Sequence, residues 1–503
     1  MKKVLVAGAA LMLAGGIAST ASAAAVEPGV KITGDARVRF YYADDQFRSY
    51  GLNSIGTATT ASQKSQTNFD QRVRVMIKGT AAGGAYAVTR LRIAESNAGD
   101  VEYGDYSNAP TWRNSNIVAD MAYIGIPFTD NFTLELGRYR STYGPLPASY
   151  NWFYDDVNGT GARAIIKFAD VEINPFIEWM NEGQNSSDTG YSAWDSKQDN
   201  DTIRFGAHVK AKINKDWTVG GMAGYQVDNR EQRNPSIGGT DIGFEKNDGF
   251  FGSVYVAGKA GNFGIAGELS VTGSRLNNWN AWEYDYSGKA GTTNAAGVFT
   301  PAGVDCIGSA DTGWGGFILP NYQIDKLNLA VLLGFTQGGF QPDGAFGDGV
   351  LLGTIDNSVI SAVRIGDYGD WLFGGLVATY QFNESLKLTG NLLYASVDAW
   401  ETVGPGGDGP ATNFRSVSKS ILGKAAGMND AYVNPVQLDN AWTISALLQY
   451  TISKGMDVYF SAGYLKPSFD KAFTINGVHY DLTGTGLNDD GIFAAATRFE
   501  LKF

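Results

Sequence analysis

The stretch FDQRVRVMIKGTAAGGAYAVTRLRIAES, residues 69–96, carries two pairs of arginines at alternate positions around a Gly-rich turn. Arg72 and Arg74 precede the turn, and Arg90 and Arg92 follow it. The neighbouring alternate positions are mainly aliphatic: Val73, Val75, Ile77, Thr89, Leu91 and Ile93. Because successive side chains of a strand point to opposite faces, this is a hairpin with one charged and one apolar face. The apolar face meets either the core of a soluble sandwich or, in a membrane barrel, lipid.

The N-terminus predicts a secretory signal peptide over residues 1–23. Lys2 and Lys3 precede a short apolar run, and small residues stand at Ala21-Ser22-Ala23. We expect the remainder, 24–503, to form one domain. The chain is acidic, with a formal net charge of -12, which disfavours nucleic acid as a partner.

Residue usage gives little support to catalysis or metal binding. Cys306 is the single cysteine, and His208 and His479 are the only histidines, far apart in sequence. Neither histidine lies in a metal-ligand motif or in the His-x-Ser-Asn-Gly arrangement of barrel lipases. We therefore predict no catalytic, cofactor or metal site, and no enzyme.

Alternating segments continue along the whole chain, whereas no run of about 18 apolar residues follows the leader. TIRFGAHVKAKI (202–213) and AWTISALLQYTI (441–452) are typical, and their length suits a tilted membrane strand. A membrane barrel has such a sequence because its lumen-facing residues are polar.

The connections between these segments alternate between short and long, which is the pattern of a barrel with short periplasmic turns and long extracellular loops. The short ones lie at 80–84, 127–131, 169–170, 213–217, 259–262, 325–326, 383–385 and 453–456. The long ones lie near 43–66, 97–115, 140–160, 180–200, 229–248, 276–312, 337–369, 399–439 and 467–489. They predict an all-β transmembrane antiparallel barrel of about 18 strands, or 16 if a hairpin near 161–179 or 312–324 is lost.

The final segment, GIFAAATRFELKF (491–503), alternates apolar and charged residues up to Phe503. It resembles the carboxy-terminal strand of Gram-negative outer-membrane barrels, and the whole chain resembles the Gram-negative porins by architecture. The resemblance implies an outer-membrane location, contact with lipid and lipopolysaccharide, and a homotrimer.

The most local likeness to the porins is LELGRYRSTYG (134–144), which leads into PLPASYNWFYDDVNG (145–159). The resemblance implies that residues 145–159 fold into the barrel, where Asp155 and Asp156 face a basic wall. The Pro-Glu-Phe-Gly-Gly tip of many general porins is absent. Arg138 and Arg140 fall on the lipid face by strict alternation, so either Gly137 marks a bulge or the strand has ended.

The basic residues of the first strands share the face that is not apolar. An arginine that faces lipid at mid-depth costs about 2 to 4 kcal/mol, so a lumen position is expected. The predicted lining residues are Arg37, Arg39, Arg72, Arg74, Arg90, Arg92, Arg163, Lys167 and Arg204. Two interpretations stay open: these side chains pair locally with Asp35 and Asp70, or they face an acidic inward loop.

Aromatic residues near the predicted strand ends are typical of interfacial girdles. They include Tyr123, Trp217, Tyr225, Trp371, Tyr380, Trp442 and Tyr450.

The function that these observations favour is a passive diffusion channel for small hydrophilic solutes and ions, with a mild preference for anions. Two alternatives remain: a substrate-selective 18-stranded porin for phosphate, sugars or organic acids, and a barrel sheath around an electron-transfer conduit.

Overall fold

The computed structural model describes the strands and short turns of the chain and some pieces of its long connections. The described residues are 27–43, 66–93, 117–146, 152–181, 202–228, 248–273, 312–338, 369–399, 437–470 and 491–503. Short pieces lie between them at 236–237, 240–241, 283–285, 291–293, 299–301, 305–308, 340, 342, 365–366, 472–475 and 478–481. The predicted leader, 1–23, lies outside these residues.

Eighteen strands, numbered β1 to β18 here, form one sheet. The first nine are Gly29–Ala43, Gln66–Thr80, Tyr86–Ile93, Ile117–Thr129, Phe132–Tyr143, Tyr154–Phe168, Val171–Asn181, Thr202–Lys212 and Trp217–Asp228. The second nine are Gly249–Ala260, Phe263–Thr272, Gly313–Ile324, Leu327–Gln337, Gly369–Asn383, Leu386–Ala399, Gln437–Ser453, Met456–Asp470 and Ile492–Lys502. Short hairpins within the long connections pair 236–237 with 240–241, 283–285 with 305–308, 291–293 with 299–301 and 472–475 with 478–481.

The sheet closes on itself, because β1 pairs antiparallel with β2 on one side and with β18 on the other. At this seam the Gly34 N–H donates to the Phe503 carbonyl at 2.7 Å, and the Phe503 N–H donates to the Gly34 carbonyl at 3.0 Å. Closure removes the free edges that an open sheet would present. The predicted all-β antiparallel barrel is confirmed, with 18 strands and not 16.

The short turns predicted from the sequence all join consecutive strands at one rim. The same rim holds the start of β1, where Gly29 lies opposite Thr80, and the end of β18. Both regions in which a hairpin was uncertain, 161–179 and 312–324, contain barrel strands. Alternation and turn residues therefore placed every strand of the ring.

The outer surface of the barrel is apolar along the strands. Exposed outward side chains include Leu372 at 67%, Val254 at 61% and Leu376 at 58%. Similar residues recur around the ring: Ile77, Phe205, Leu269, Leu333, Leu392, Ile444 and Phe460. So large a contiguous apolar surface is stable only against lipid, which makes the barrel a membrane-spanning one. Among the described residues, no helix is long and apolar enough to cross a membrane.

Candidate functional site

The inner face of β1 and β2 carries a charged group centred on Asp35. The register sets Asp35 opposite Arg74 and Arg37 opposite Arg72. Arg72 Nη2 lies 3.2 Å from Asp35 Oδ1, and Arg74 Nε lies 2.8 Å from Asp35 Oδ2. One carboxylate thus offsets two guanidinium groups on the neighbouring strand, and strand alternation puts all of them on the inner face.

Asp120 pairs with Arg90 and Arg92 in the way that Asp35 pairs with Arg72 and Arg74. The β3–β4 register shifts between Arg90 and Leu91, and this irregularity directs Asp120 inward. Arg90 holds the carboxylate in two contacts, Nε–Oδ1 at 2.8 Å and Nη2–Oδ2 at 2.7 Å. Arg92 Nε adds a third at 2.8 Å to Oδ2. Asp120 is buried, so the three contacts fix both arginines in place.

Glu135 and Arg163 continue the charged group onto β5 and β6. Arg163 Nε donates to Glu135 Oε2 at 2.6 Å, and the Tyr86 hydroxyl donates to Oε1 at 2.6 Å. The Arg163 guanidinium also lies 4.6 Å from the centre of the Tyr139 ring. Farther round the ring, Arg204 Nε donates to Gln226 Oε1 at 2.6 Å.

The remaining predicted lining residues fall on the same face. Arg39 is buried and lies opposite position 70 on β2 and Arg498 on β18. Lys167 lies opposite Glu172. We call the arginines of this half of the barrel the arginine wall: Arg37, Arg39, Arg72, Arg74, Arg90, Arg92, Arg163 and Arg204. Within the described residues these arginines outnumber the acids that face them, which are Asp35, Asp120, Glu135, Glu178 and Glu500.

The top of β5 leaves the barrel wall. β4 and β5 pair only as far as Ala122 opposite Arg138, whereas β5 and β6 remain paired up to Tyr143 opposite Tyr154. Gly137 stands at the point of separation with φ +124°, and a Cβ there would lie 2.5 Å from the Ala122 carbonyl oxygen. Only glycine suits such a position. We call the described residues 139–146 and 152–154 together the inward segment.

Side chains of β7 and β8 hold the base of the inward segment. The Tyr143 ring stacks on the His208 ring with centroids 4.1 Å apart. The Tyr154 hydroxyl donates to Glu178 Oε2 at 2.5 Å, and the Ser141 hydroxyl lies 3.3 Å from Oε1. Glu178 is fully buried and satisfied by these contacts.

The far end of the inward segment reaches the opposite half of the barrel. The Trp152 ring lies 5.7 Å from Phe317 on β12 and 6.0 Å from Phe373 on β14, between ring centroids. Phe340, from the connection after β13, stacks on it at 5.7 Å. These rings belong to a buried set, here called the apolar cluster: Trp152, Phe317, Leu332, Phe340, Ile365, Trp371, Phe373 and Leu393. The lumen is therefore asymmetric, with the arginine wall on one side and the apolar cluster on the other.

Several sequence-based expectations need correction. Asp155 and Asp156 belong to β6, not to a loop over 145–159, and their side chains lie outside the described residues. Arg138 is exposed and its Nε lies 3.4 Å from the Asp120 carbonyl, so strict alternation places it correctly. Arg140 lies on the same side of β5 as Arg138, opposite the buried Tyr139 and Ser141, so the alternation continues. The lumen groups Arg90 and Asp120 act on it because β5 has left the wall at this point.

The expected girdle is also wrong for two aromatics, which face inward. Trp371 is buried in the apolar cluster, and Tyr123 lies edge-on to Tyr86 and Tyr139, at 6.4 Å from each ring.

Asp120 and Glu135 were not among the predicted lining residues. Glu135 could have been found, because it alternates with Leu134 and Leu136 and therefore faces the lumen. Asp120 could not, because the irregularity beside it breaks the alternation on which the assignment of faces depends.

No family model matches this chain, and no curated protein matches it. Solved outer-membrane structures resemble its fold. OccK8 (OprE) of Pseudomonas aeruginosa is 10% identical over 94% of this chain and 98% of its own, with a TM-score of 0.48. OpdK of the same organism is 10% identical over 94% and 99%, with a TM-score of 0.47. OmpT of Vibrio cholerae, an outer membrane protein in its trimer form, is 12% identical over 95% and 100%, with a TM-score of 0.38. At these identities the likeness concerns the fold alone.

Three features define the class of protein. The strands form a closed antiparallel ring, the outward side chains are apolar, and the inward ones carry the charges. Such a ring satisfies every backbone group within the bilayer and sets polar residues around a lumen. The chain is a β-barrel of the outer-membrane type.

Proposed function

We propose that this chain is a passive channel for small hydrophilic solutes and ions in the outer membrane of a Gram-negative bacterium, with a mild preference for anions. The observation that carries the proposal is the excess of arginines over acids on the arginine wall. Fixed positive charge along a narrow passage lowers the energy of an anion there and raises that of a cation. Because the apolar cluster fills the opposite side, solutes pass along the arginine wall.

The wall acids tune this preference. Asp35, Asp120 and Glu135 each offset arginine charge within hydrogen-bond distance. Local pairing, one of the two interpretations of the sequence, therefore applies to part of the arginine wall. Asp35 is one of the partners that it predicts, and Asp120 and Glu135 are partners that it does not. The remaining positive charge supports a modest selectivity and not a strict one.

Reversal potentials across planar bilayers in a salt gradient test the proposal. Replacing Arg72, Arg74, Arg90 and Arg92 together by Gln removes four charges and leaves Asp35 and Asp120 without these partners, so the potential should shift toward cations. A matched control replaces Lys212, Lys215, Lys259 and Lys326 by Gln. These lysines are exposed at the short-turn rim, away from the wall, and their removal changes the net charge equally. Equal reversal potentials for wild type and the arginine variant would refute the proposal.

Substrate selectivity is the second candidate, and the asymmetric lumen favours it. A passage bounded by a charged wall and a packed apolar cluster restricts solute shape more than an open barrel does. A block of the ion current by one class of solute at micromolar concentration would identify a selective channel. A sheath around a haem protein fits less well, since side chains of the chain itself occupy the lumen.

Contact with lipopolysaccharide and assembly as a homotrimer remain part of the proposal. They rest on the porin resemblance of the sequence. Chemical cross-linking in membranes, followed by mass determination, would test the trimer.

A further inference from the structure

The inward bend of β5 turns one of its arginines toward the arginine wall. Arg138 stands at the last position at which β4 and β5 pair, and its Nε lies 3.4 Å from the Asp120 carbonyl oxygen. Arg140 follows two positions later on the same side of the strand. Because β4 no longer pairs with β5 there, this side of β5 faces the inner surface of the wall and not the lipid.

Contacts of the neighbouring backbone hold Arg140 at this place. Arg163 Nη1 lies 3.3 Å from the Arg140 carbonyl oxygen and 3.3 Å from the Ser141 hydroxyl oxygen. Among the described side chains of the inward segment, Arg140 is the charged one. The passage therefore has guanidinium groups on two sides at this level, on the wall and on the inward segment.

Positive charge exceeds negative charge where these two sides meet. The guanidinium groups described there are those of Arg72, Arg74, Arg90, Arg92 and Arg140, and the carboxylates are those of Asp35 and Asp120. In the described contacts, Asp120 engages two of the five N–H groups of Arg90, and Asp35 engages one of the five of Arg74. Both wall arginines thus have further N–H groups with which to bind a solute.

We propose that Arg140 and the arginine wall form a binding site for a doubly charged tetrahedral oxyanion, either free sulfate or phosphate or the head of a phosphate monoester. The site rests on the proposed channel function, because its ligand must enter the lumen. A carboxylate has two oxygens in one plane, and a single arginine can engage both of them. A tetrahedral dianion directs oxygens to several sides, so it accepts N–H groups from Arg140 and from the wall together.

The wall side of the site is formed before the ion arrives. Asp120 fixes Arg90 and Arg92 through three contacts of 2.7 to 2.8 Å. Donors that are already in place lower the cost of ordering on binding. An ion that is held from both sides should occupy the passage long enough to interrupt a chloride current.

Block of the chloride current in planar bilayers, at about pH 8 and constant ionic strength, tests the site. Sulfate is compared with methyl sulfate, which is also tetrahedral at sulfur but carries one negative charge. Sulfate should block at a concentration at least about tenfold lower, because it can form charge-assisted hydrogen bonds on both sides. Glycerol 3-phosphate, a dianion at this pH, separates the two sources of the ligand. Block by both dianions identifies the charged head as the ligand, and block by sulfate alone identifies the free ion.

Three variants assign the block to Arg140. Arg140→Gln should raise the blocking concentration of sulfate at least about tenfold. Arg140→Lys keeps the charge but not the paired N–H groups, so it should give an intermediate value, and it serves if the Gln variant does not fold. Lys387→Gln is the matched control, because it removes one positive charge from the inner face of β15, and it should behave as wild type.

Reversal potentials in the same bilayers, without added oxyanion, keep the site and the channel function apart. Anion selectivity together with equal block by sulfate and methyl sulfate would refute the site and leave the channel function intact. An unchanged blocking concentration in Arg140→Gln, or an equal rise in Lys387→Gln, would also overturn the proposal.

Discussion

Asp120 shows how one residue can hold two like charges together on a barrel wall. Arg90 and Arg92 are two positions apart on β3, so they point the same way and repel. The carboxylate between them makes three contacts of 2.7 to 2.8 Å. Charge-assisted contacts of this kind are stronger than neutral ones, so the pair is fixed and not free to follow a solute.

Replacing Asp120 by Asn should therefore change stability and selectivity together. The loss of the charge should lower the free energy of unfolding by about 1 to 3 kcal/mol. It should also move the reversal potential toward anions, since two arginines lose their counter-charge. Asp325→Asn, in an exposed short turn, is the matched control and should change neither quantity. A shift toward cations would contradict the role assigned to Asp120.

Much of the candidate site, but not all of it, could be predicted from the sequence. The positions of Arg72, Arg74, Arg90 and Arg92 on the inner face follow from alternation alone. The contact of Trp152 with Phe317 does not, because it joins segments far apart in the sequence and has no periodic signal. Pairing of acids with arginines likewise depends on the register between strands, which the sequence leaves open.

At the level of strands, the lumen is asymmetric because β5 separates from β4 and turns inward. It begins at Gly137, whose backbone conformation other residues rarely adopt. Beyond it β5 retains only β6 as a partner, and the pair carries Tyr143 and Tyr154 toward His208 and Glu178.

Gly137→Ala should destabilise the barrel at the inward bend of β5. The added Cβ would meet the Ala122 carbonyl at 2.5 Å in a strained backbone conformation, which should cost about 2 to 4 kcal/mol. The measurement is the temperature at which the barrel unfolds in gel-shift assays. Gly390→Ala in β15 is the control, because its Cβ would meet nothing closer than 3.9 Å. Equal unfolding temperatures for the two variants would show that β5 tolerates a side chain at this position.

The strands themselves were predictable because a membrane barrel obeys two local rules, alternation and turn chemistry. Each short turn, such as 325–326 between β12 and β13, falls where the sequence indicates it. The inward bend of β5 is not local. It depends on where β5 loses β4 as a partner, which is beyond Arg138, and alternation alone does not show that Arg140 comes near the lumen charges.

For the whole molecule, the two rims predict opposite accessibility on intact cells. With Cys306 replaced, a cysteine at 290 in a long connection should react with a membrane-impermeant label. Cysteines at Ala82 and Glu384, in short turns, should react only after the outer membrane is opened. Labelling in the reverse order would invert the orientation of the barrel.

The net charge of -12 and the arginine wall predict an unusual salt dependence. Acids of the long connections attract cations to the mouth, whereas the wall favours anions inside. Screening over about 10 Å at moderate salt weakens the distant charges more than those that line the passage. Anion selectivity should therefore strengthen from dilute to moderate salt, as measured by reversal potentials at a fixed gradient ratio. A steady decline of anion selectivity over that range would mean that the acids of the long connections do not counteract the arginine wall.

The seam between β1 and β18 sets an order of events during biogenesis. β1 is synthesised first among the strands, yet one of its two partners is the last of the eighteen to be made. Until β18 arrives, β1 presents an unpaired edge that could join another chain. Closure of the ring therefore constrains the order of assembly as well as the final structure. Export must keep the early strands from pairing wrongly until all eighteen are available, and a chain that stalls before β18 cannot form a channel.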